Sequence, residues 1–134
     1  VLASEAKGRG FDPRQPRHPH AHMPMNTPYL SETEAPTPAE VRSWSDCVVL
    51  EFGTDWCGHC RAAQSPIQTA LAQNPAWCHV KVEDGPGRAL GRSYRVKLWP
   101  TLILLKNGQE VERLVRPTDV ATLHEALARV HSSA

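Results

Sequence analysis

From Cys47 to Gly53 the chain reads Cys-Val-Val-Leu-Glu-Phe-Gly, a β-prone run that is apolar at both alternating sets of positions except at Glu51. Such a run is satisfied by a strand covered on both faces, as in a sheet flanked by helices. Trp56 and then Cys57-Gly58-His59-Cys60 follow, where strand is expected to give way to helix. Two thiols three positions apart at that junction can close a small disulfide ring, and a helix N-terminus stabilises a thiolate. The pair can therefore take up and release two electrons.

The rest of the composition narrows the choices. At 134 residues the chain holds one domain at most, large enough to bury a core without disulfide staples or a structural metal. Four cysteines are too few for a disulfide-rich scaffold, and only Cys57 and Cys60 have close motif spacing. A formal charge of +1, with arginines scattered and no basic stripe interleaved with aromatics, gives no nucleic-acid footprint. The longest apolar stretches are about a strand in length, so no membrane partner is expected, and no apolar signal core follows Val1. Residues 1–27 carry Pro13, Pro16, Pro19 and Pro24, many charges and the cluster His18-Pro19-His20-Ala21-His22. That composition cannot offset its ordering entropy. The expectation is a disordered or non-native segment over 1–27, whose histidines are either incidental or a weak divalent-metal site, before a domain over 28–134.

Within the domain, Thr37-Pro38-Ala39-Glu40 is a capping box with proline at the first helical position, predicting a helix to about Ser45. A strand over Cys47–Gly53 precedes a helix from about Gly58 to Gln73, with Pro66 expected to kink it. A strand over Trp77–Val82, a short helix over Arg88–Tyr94 and a strand over Thr101–Leu105 come next. Asn107-Gly108 suits a two-residue hairpin returning through Glu110–Val115. Val120, Leu123, Leu127 and Val130, after the cap candidate Thr118, form a helical stripe. The order αβαβαββα gives an α/β fold with a mixed central sheet and helices on both faces.

The strand with Glu51-Phe52-Gly53-Thr54-Asp55-Trp56-Cys57-Gly58-His59-Cys60, the helix holding Pro66, Trp99-Pro100-Thr101, and the hairpin with Lys106-Asn107-Gly108 resemble the thioredoxin family over about 35–131. The resemblance implies the thioredoxin fold and a thiol:disulfide oxidoreductase that reduces protein disulfides and needs no cofactor beyond the redox-active Cys57–Cys60 disulfide. It also implies an electron donor such as a thioredoxin reductase or the glutathione system, a monomer, and a bacterial-type cytoplasm. A periplasmic or secreted setting stays open if an export signal was removed. Thioredoxins usually have Gly-Pro between the cysteines, whereas Gly58-His59 resembles protein disulfide isomerase, so an isomerase or oxidase is the rival reading.

At the mouth of the helix Cys57 is the expected nucleophile, its alternative being an inert buried thiol. Cys60, one turn on, would attack the mixed disulfide and release reduced substrate. A zinc site completed by Cys47, Cys78 or His79 competes for the pair, against the lack of a second close ligand pair; a redox-dead partner-binding module is a further alternative. A protonated His59 between the thiols would favour the Cys57 thiolate and a more oxidising couple, unless it is merely solvated.

The resemblance places Glu51 where the family has a buried acid. Burial would raise its pKa and poise it to take the Cys60 proton. Lys81 matches the family's neighbouring lysine, the plainer reading being a structural ion pair. Trp99-Pro100-Thr101 matches the loop with a cis proline, which with Trp56 and Gly58 would form the substrate-binding surface; Trp99, larger than the usual residue, could equally be core packing. Buried free thiols are the default for Cys47 and Cys78, with a disulfide between them as the alternative. Arg116 stands where the family usually has glycine.

Overall fold

The computed structural model describes residues 28–133; the expectation for 1–27 lies outside the described residues. In chain order the elements are α1 (Pro38–Arg42), β1 (Cys47–Gly53), α2 (Gly58–Ala72), β2 (Cys78–Glu83), α3 (Ala89–Ser93), β3 (Thr101–Lys106), β4 (Gln109–Val115) and α4 (Val120–Ser132). The αβαβαββα order and the mixed sheet match the sequence reading.

β1 is buried along its whole length because it lies inside the sheet, whose strand order is β2-β1-β3-β4. It runs parallel to β2 and antiparallel to β3. Period-two alternation then sorts the side chains. Val48, Leu50 and Phe52 join Cys78, Val80 and Val82 in a core closed by Val41 of α1 and Leu90 of α3. Cys47 and Val49 face the other way, packing with Ala63 and Ile67 of α2 and Leu123 and Leu127 of α4. Glu51 therefore falls on the α2 side, opposite Lys81 in register and two pairs beyond Val49 and His79. Polar residues thus stand directly beneath the helix that carries the thiols.

Several ends move relative to the sequence reading. α1 stops at Arg42 and is capped by Ser43, short of Ser45, so that Trp44 can turn into the core. Pro66 lies within α2 without ending it, since proline costs the ladder only one hydrogen bond. Asp119, rather than Thr118, caps α4: its Oδ2 accepts the Thr122 N–H at 3.0 Å. In the hairpin Asn107 (φ 54°) and Gly108 (φ 79°) are both left-handed, and a Cβ at Gly108 would stand 2.2 Å from the Arg42 carbonyl oxygen. The register slips between Leu104 and Leu105, so Leu105 faces Glu110 and Lys106 faces Gln109, starting β4 one residue earlier than expected.

Candidate active site

β1 ends at Gly53, and three residues later Cys57 takes the N-cap position of α2 in an extended conformation (φ −76°, ψ 123°). Its Sγ accepts the backbone N–H of Cys60 at 3.3 Å, one of the groups a helix start leaves unpaired. All four cysteines are buried, and Cys60, at 1% exposure, is deeper than Cys57 at 9%.

The two thiols are electrostatically unequal. Burial pushes the Cys57 thiol up, but the Cys60 thiol, the backbone N–H groups of Cys60 and His59, and the Arg116 guanidinium together bring it below its ordinary value. Cys60 is pushed up to about 12, first by burial and then by the hydrogen bond and charge of Cys57. Negative charge accordingly settles on Cys57. The His59 side chain is exposed and the residue contributes its backbone N–H, while the added cation is that of Arg116, whose part the sequence did not reveal.

Beneath Cys60 lies a polar cluster centred on Glu51, itself fully buried. His79 Nε2 meets Glu51 Oε1 at 2.7 Å, Gln64 Nε2 donates to Oε2 at 2.8 Å, and the Tyr29 hydroxyl donates to Oε2. Burial alone would raise the Glu51 pKa as expected, yet the hydrogen bonds and charge of His79 with the donors Tyr29 and Gln64 outweigh it, leaving the carboxyl below its usual range. That corrects the picture of a carboxyl poised near neutrality: Glu51 rests as a carboxylate. Lys81 Nζ donates to Gln64 Oε1 at 2.9 Å and lies 4.4 Å from the centre of the Tyr29 ring. Burial lowers the Lys81 pKa, partly offset by the negative charges of Glu51 and Asp55. A cavity of about 340 Å³, bordered by Asp55, Cys60, Arg61, Gln64 and Lys81 among others, adjoins this cluster.

Trp56 is 71% exposed and meets Trp99 edge to face, with centroids 5.9 Å apart. Trp99 packs against the cluster of Tyr29, Cys57 and Cys60, and its Nε1 donates to Asp84 Oδ2 at 2.9 Å, so it borders that cluster rather than filling the core. The Trp99–Pro100 peptide is cis. Arg116, at φ 51°, donates its backbone N–H to the Pro100 carbonyl at 2.8 Å and its Nε–H to the Trp99 carbonyl at 2.9 Å. Gly58 is exposed with open space where a Cβ would stand. Thr101 departs from the expected substrate surface: it is 1% exposed, and its Oγ1 donates to the Leu98 carbonyl at 2.6 Å, bracing the loop from inside.

Cys47 and Cys78 belong to cores on opposite faces of the sheet, which removes the disulfide considered between them. Among the described residues no three His, Cys, Asp or Glu side chains converge as metal ligands. His79, weighed as a zinc ligand, is engaged by Glu51 instead. Sequence reasoning missed Tyr29, Gln64 and His79 as partners of Glu51. Gln64 was accessible through its one-turn spacing from Cys60, and His79 through strand alternation with Lys81; Tyr29 carried no local signal.

The family profile described as Thioredoxin matches residues 30–129. A thioredoxin of Mycobacterium bovis is 33% identical over 104 residues, covering 75% of this chain and 88% of that protein. A thioredoxin of Chlamydia trachomatis is 32% identical over 85 residues, covering 63% and 83%. Among solved structures, thioredoxin 2 of Pseudomonas aeruginosa PAO1 in its reduced form superposes with a TM-score of 0.72 at 46% identity, covering 82% of this chain and all of that one (100%).

Proposed function

This chain belongs to the thioredoxin family and is a thiol:disulfide oxidoreductase, and we propose that it reduces protein disulfides with Cys57 as the attacking thiol and Cys60 as the resolving thiol. The inequality of the two sulfurs carries this reading. A thiolate on Cys57 attacks one sulfur of the substrate disulfide, forming a mixed disulfide and releasing the other sulfur as a thiolate. Cys57 thereby loses the charge that helped hold the Cys60 proton, so Cys60 acidifies at the step where it must attack. Glu51, already a carboxylate, takes the proton, and Lys81 and His79 keep that charge bearable inside the protein. Trp56, Trp99 and Pro100 border the groove in which an extended substrate segment lies beside Cys57.

A reductase or the glutathione system returns the pair to the dithiol, in a bacterial-type cytoplasm. The isomerase or oxidase direction has its own support, because interactions that stabilise the Cys57 thiolate favour the dithiol and raise the reduction potential.

Insulin-disulfide reduction tests the assignment. Cys57→Ser abolishes it, whereas Cys60→Ser accumulates mixed disulfides with substrate; full activity of the Cys57 variant overturns the division into attacking and resolving sulfurs.

A further inference from the structure

The segment that precedes α1 brings Tyr29 into the centre, and the thiol chemistry above does not use it. Leu30 fixes its place: its N–H donates to the Lys81 carbonyl at 2.9 Å and its carbonyl accepts the Glu83 N–H at 2.9 Å, a single rung of parallel pairing with Val82 of β2. Tyr29 then turns inward, packs with Cys57 and Cys60, and donates its hydroxyl to Glu51. Gly53 makes room for the approach. A Cβ there would stand 2.7 Å from the Tyr29 hydroxyl and 2.6 Å from the Cys60 sulfur, so both atoms border the same spot left empty by glycine.

We propose that Tyr29 relays the proton of the resolving thiol Cys60 to Glu51, resting on the reading of Glu51 as proton acceptor. A phenol has one proton to give and an oxygen that accepts, and Tyr29 stands between two groups that exchange a proton in this reaction. As the Cys60 sulfur bonds to the Cys57 sulfur, the Cys57–substrate bond breaks and its electron pair leaves on the substrate sulfur. The Cys60 proton passes to the Tyr29 oxygen while the Tyr29 proton passes to Glu51. The products are the Cys57–Cys60 disulfide, a substrate thiolate and a protonated Glu51, which returns its proton to solvent by way of the adjoining cavity.

Burial and the Glu51 charge push the Tyr29 phenol far above its ordinary value, which keeps it neutral between turnovers. The titratable and charged groups around it are Glu51 on β1, Lys81 and, behind Glu51, His79 on β2, Cys57 at the start of α2 and Cys60 within it, and Asp55 and Arg61 at the cavity. The Lys81 ammonium over the ring favours negative charge that develops on the oxygen in transit.

Tyr29→Phe in the full chain is the test, with mixed-disulfide formation measured in the Cys60→Ser background and resolution followed in single turnovers. The relay requires unchanged formation and resolution slowed roughly a hundredfold or more at pH 7, recovering as pH rises and solvent takes the proton directly. Combined with Glu51→Gln it should be no slower than the worse single variant. Slowing by Glu51→Gln but not by Tyr29→Phe overturns the relay and leaves Glu51 as acceptor. No slowing by either overturns both readings, and equal slowing of both steps by Tyr29→Phe reduces Tyr29 to packing. Should the Phe variant not fold, the wild-type resolution rate across H2O/D2O mixtures decides: a bowed curve supports two protons in flight, and a straight line overturns the relay.

Discussion

Gln64 ties the thiol-bearing helix to Glu51 on the central strand: its Nε2 donates to the Cys60 carbonyl at 2.9 Å and to Glu51 Oε2 at 2.8 Å. The same side chain accepts from Lys81 through Oε1 at 2.9 Å. One amide thus serves an anion, a cation and a helix carbonyl.

Replacing Gln64 with leucine keeps the bulk and removes all of these bonds, leaving buried polar groups short of partners. The cost expected is about 1–3 kcal/mol, and for a domain of this size a fall in melting temperature on the order of 10 °C. Urea unfolding of both proteins checks it, with an unchanged midpoint counting against the network as a source of stability.

The depressed Glu51 pKa has a stability consequence of definite sign. The folded state binds this proton less readily than the unfolded chain, so the contribution is fully present above the unfolded value of about 4.3 and is lost as pH falls through the folded one. Wild-type stability should therefore fall more steeply than that of Glu51→Gln as pH drops below about 4.3. Denaturant titrations from pH 7 downward measure the difference; parallel curves would show that Glu51 is not held ionised.

Local order was legible wherever a local rule governed. The apolar run 47–53, the capping box at Thr37 and Asn107-Gly108 each decide their own geometry, and the structure follows them. Adjacent Thr118 and Asp119 can both cap, and only the position of α4 decides for Asp119. The charge state of Glu51 was not legible, because its donors Tyr29, Gln64 and His79 come from three separate segments. Burial could be read from the strand pattern, whereas its compensation depends on contacts between 13 and 28 positions apart.

Arg116 is the cation that lowers the Cys57 pKa from across the site. Arg116→Gln should raise that pKa and reduce the alkylation rate at pH 6 to 7 several-fold, a size suited to an exposed charge worth less than about 1 kcal/mol. Its effect should shrink in high salt. A rate that is the same at all ionic strengths would remove Arg116 from the thiolate's environment.

The Trp56–Trp99 contact forms an aromatic border beside Cys57. Trp99→Ala should raise KM for a protein disulfide several-fold, since such a pair is worth about 0.5–1.5 kcal/mol beyond its buried area. Turnover of a small aromatic disulfide should change little. Equal losses on both substrates would mean that Trp99 shapes the thiols rather than the docking surface.

Alkylation of the reduced protein tests the division of labour between the sulfurs most directly. Iodoacetamide is added across pH 5 to 10 and the labelled residue is located by peptide mass. Cys57 should take the label first, with a midpoint below its ordinary thiol value, while Cys60, held near 12, stays unlabelled through the neutral range. Labelling of Cys60 at or before Cys57 near neutral pH would contradict the account.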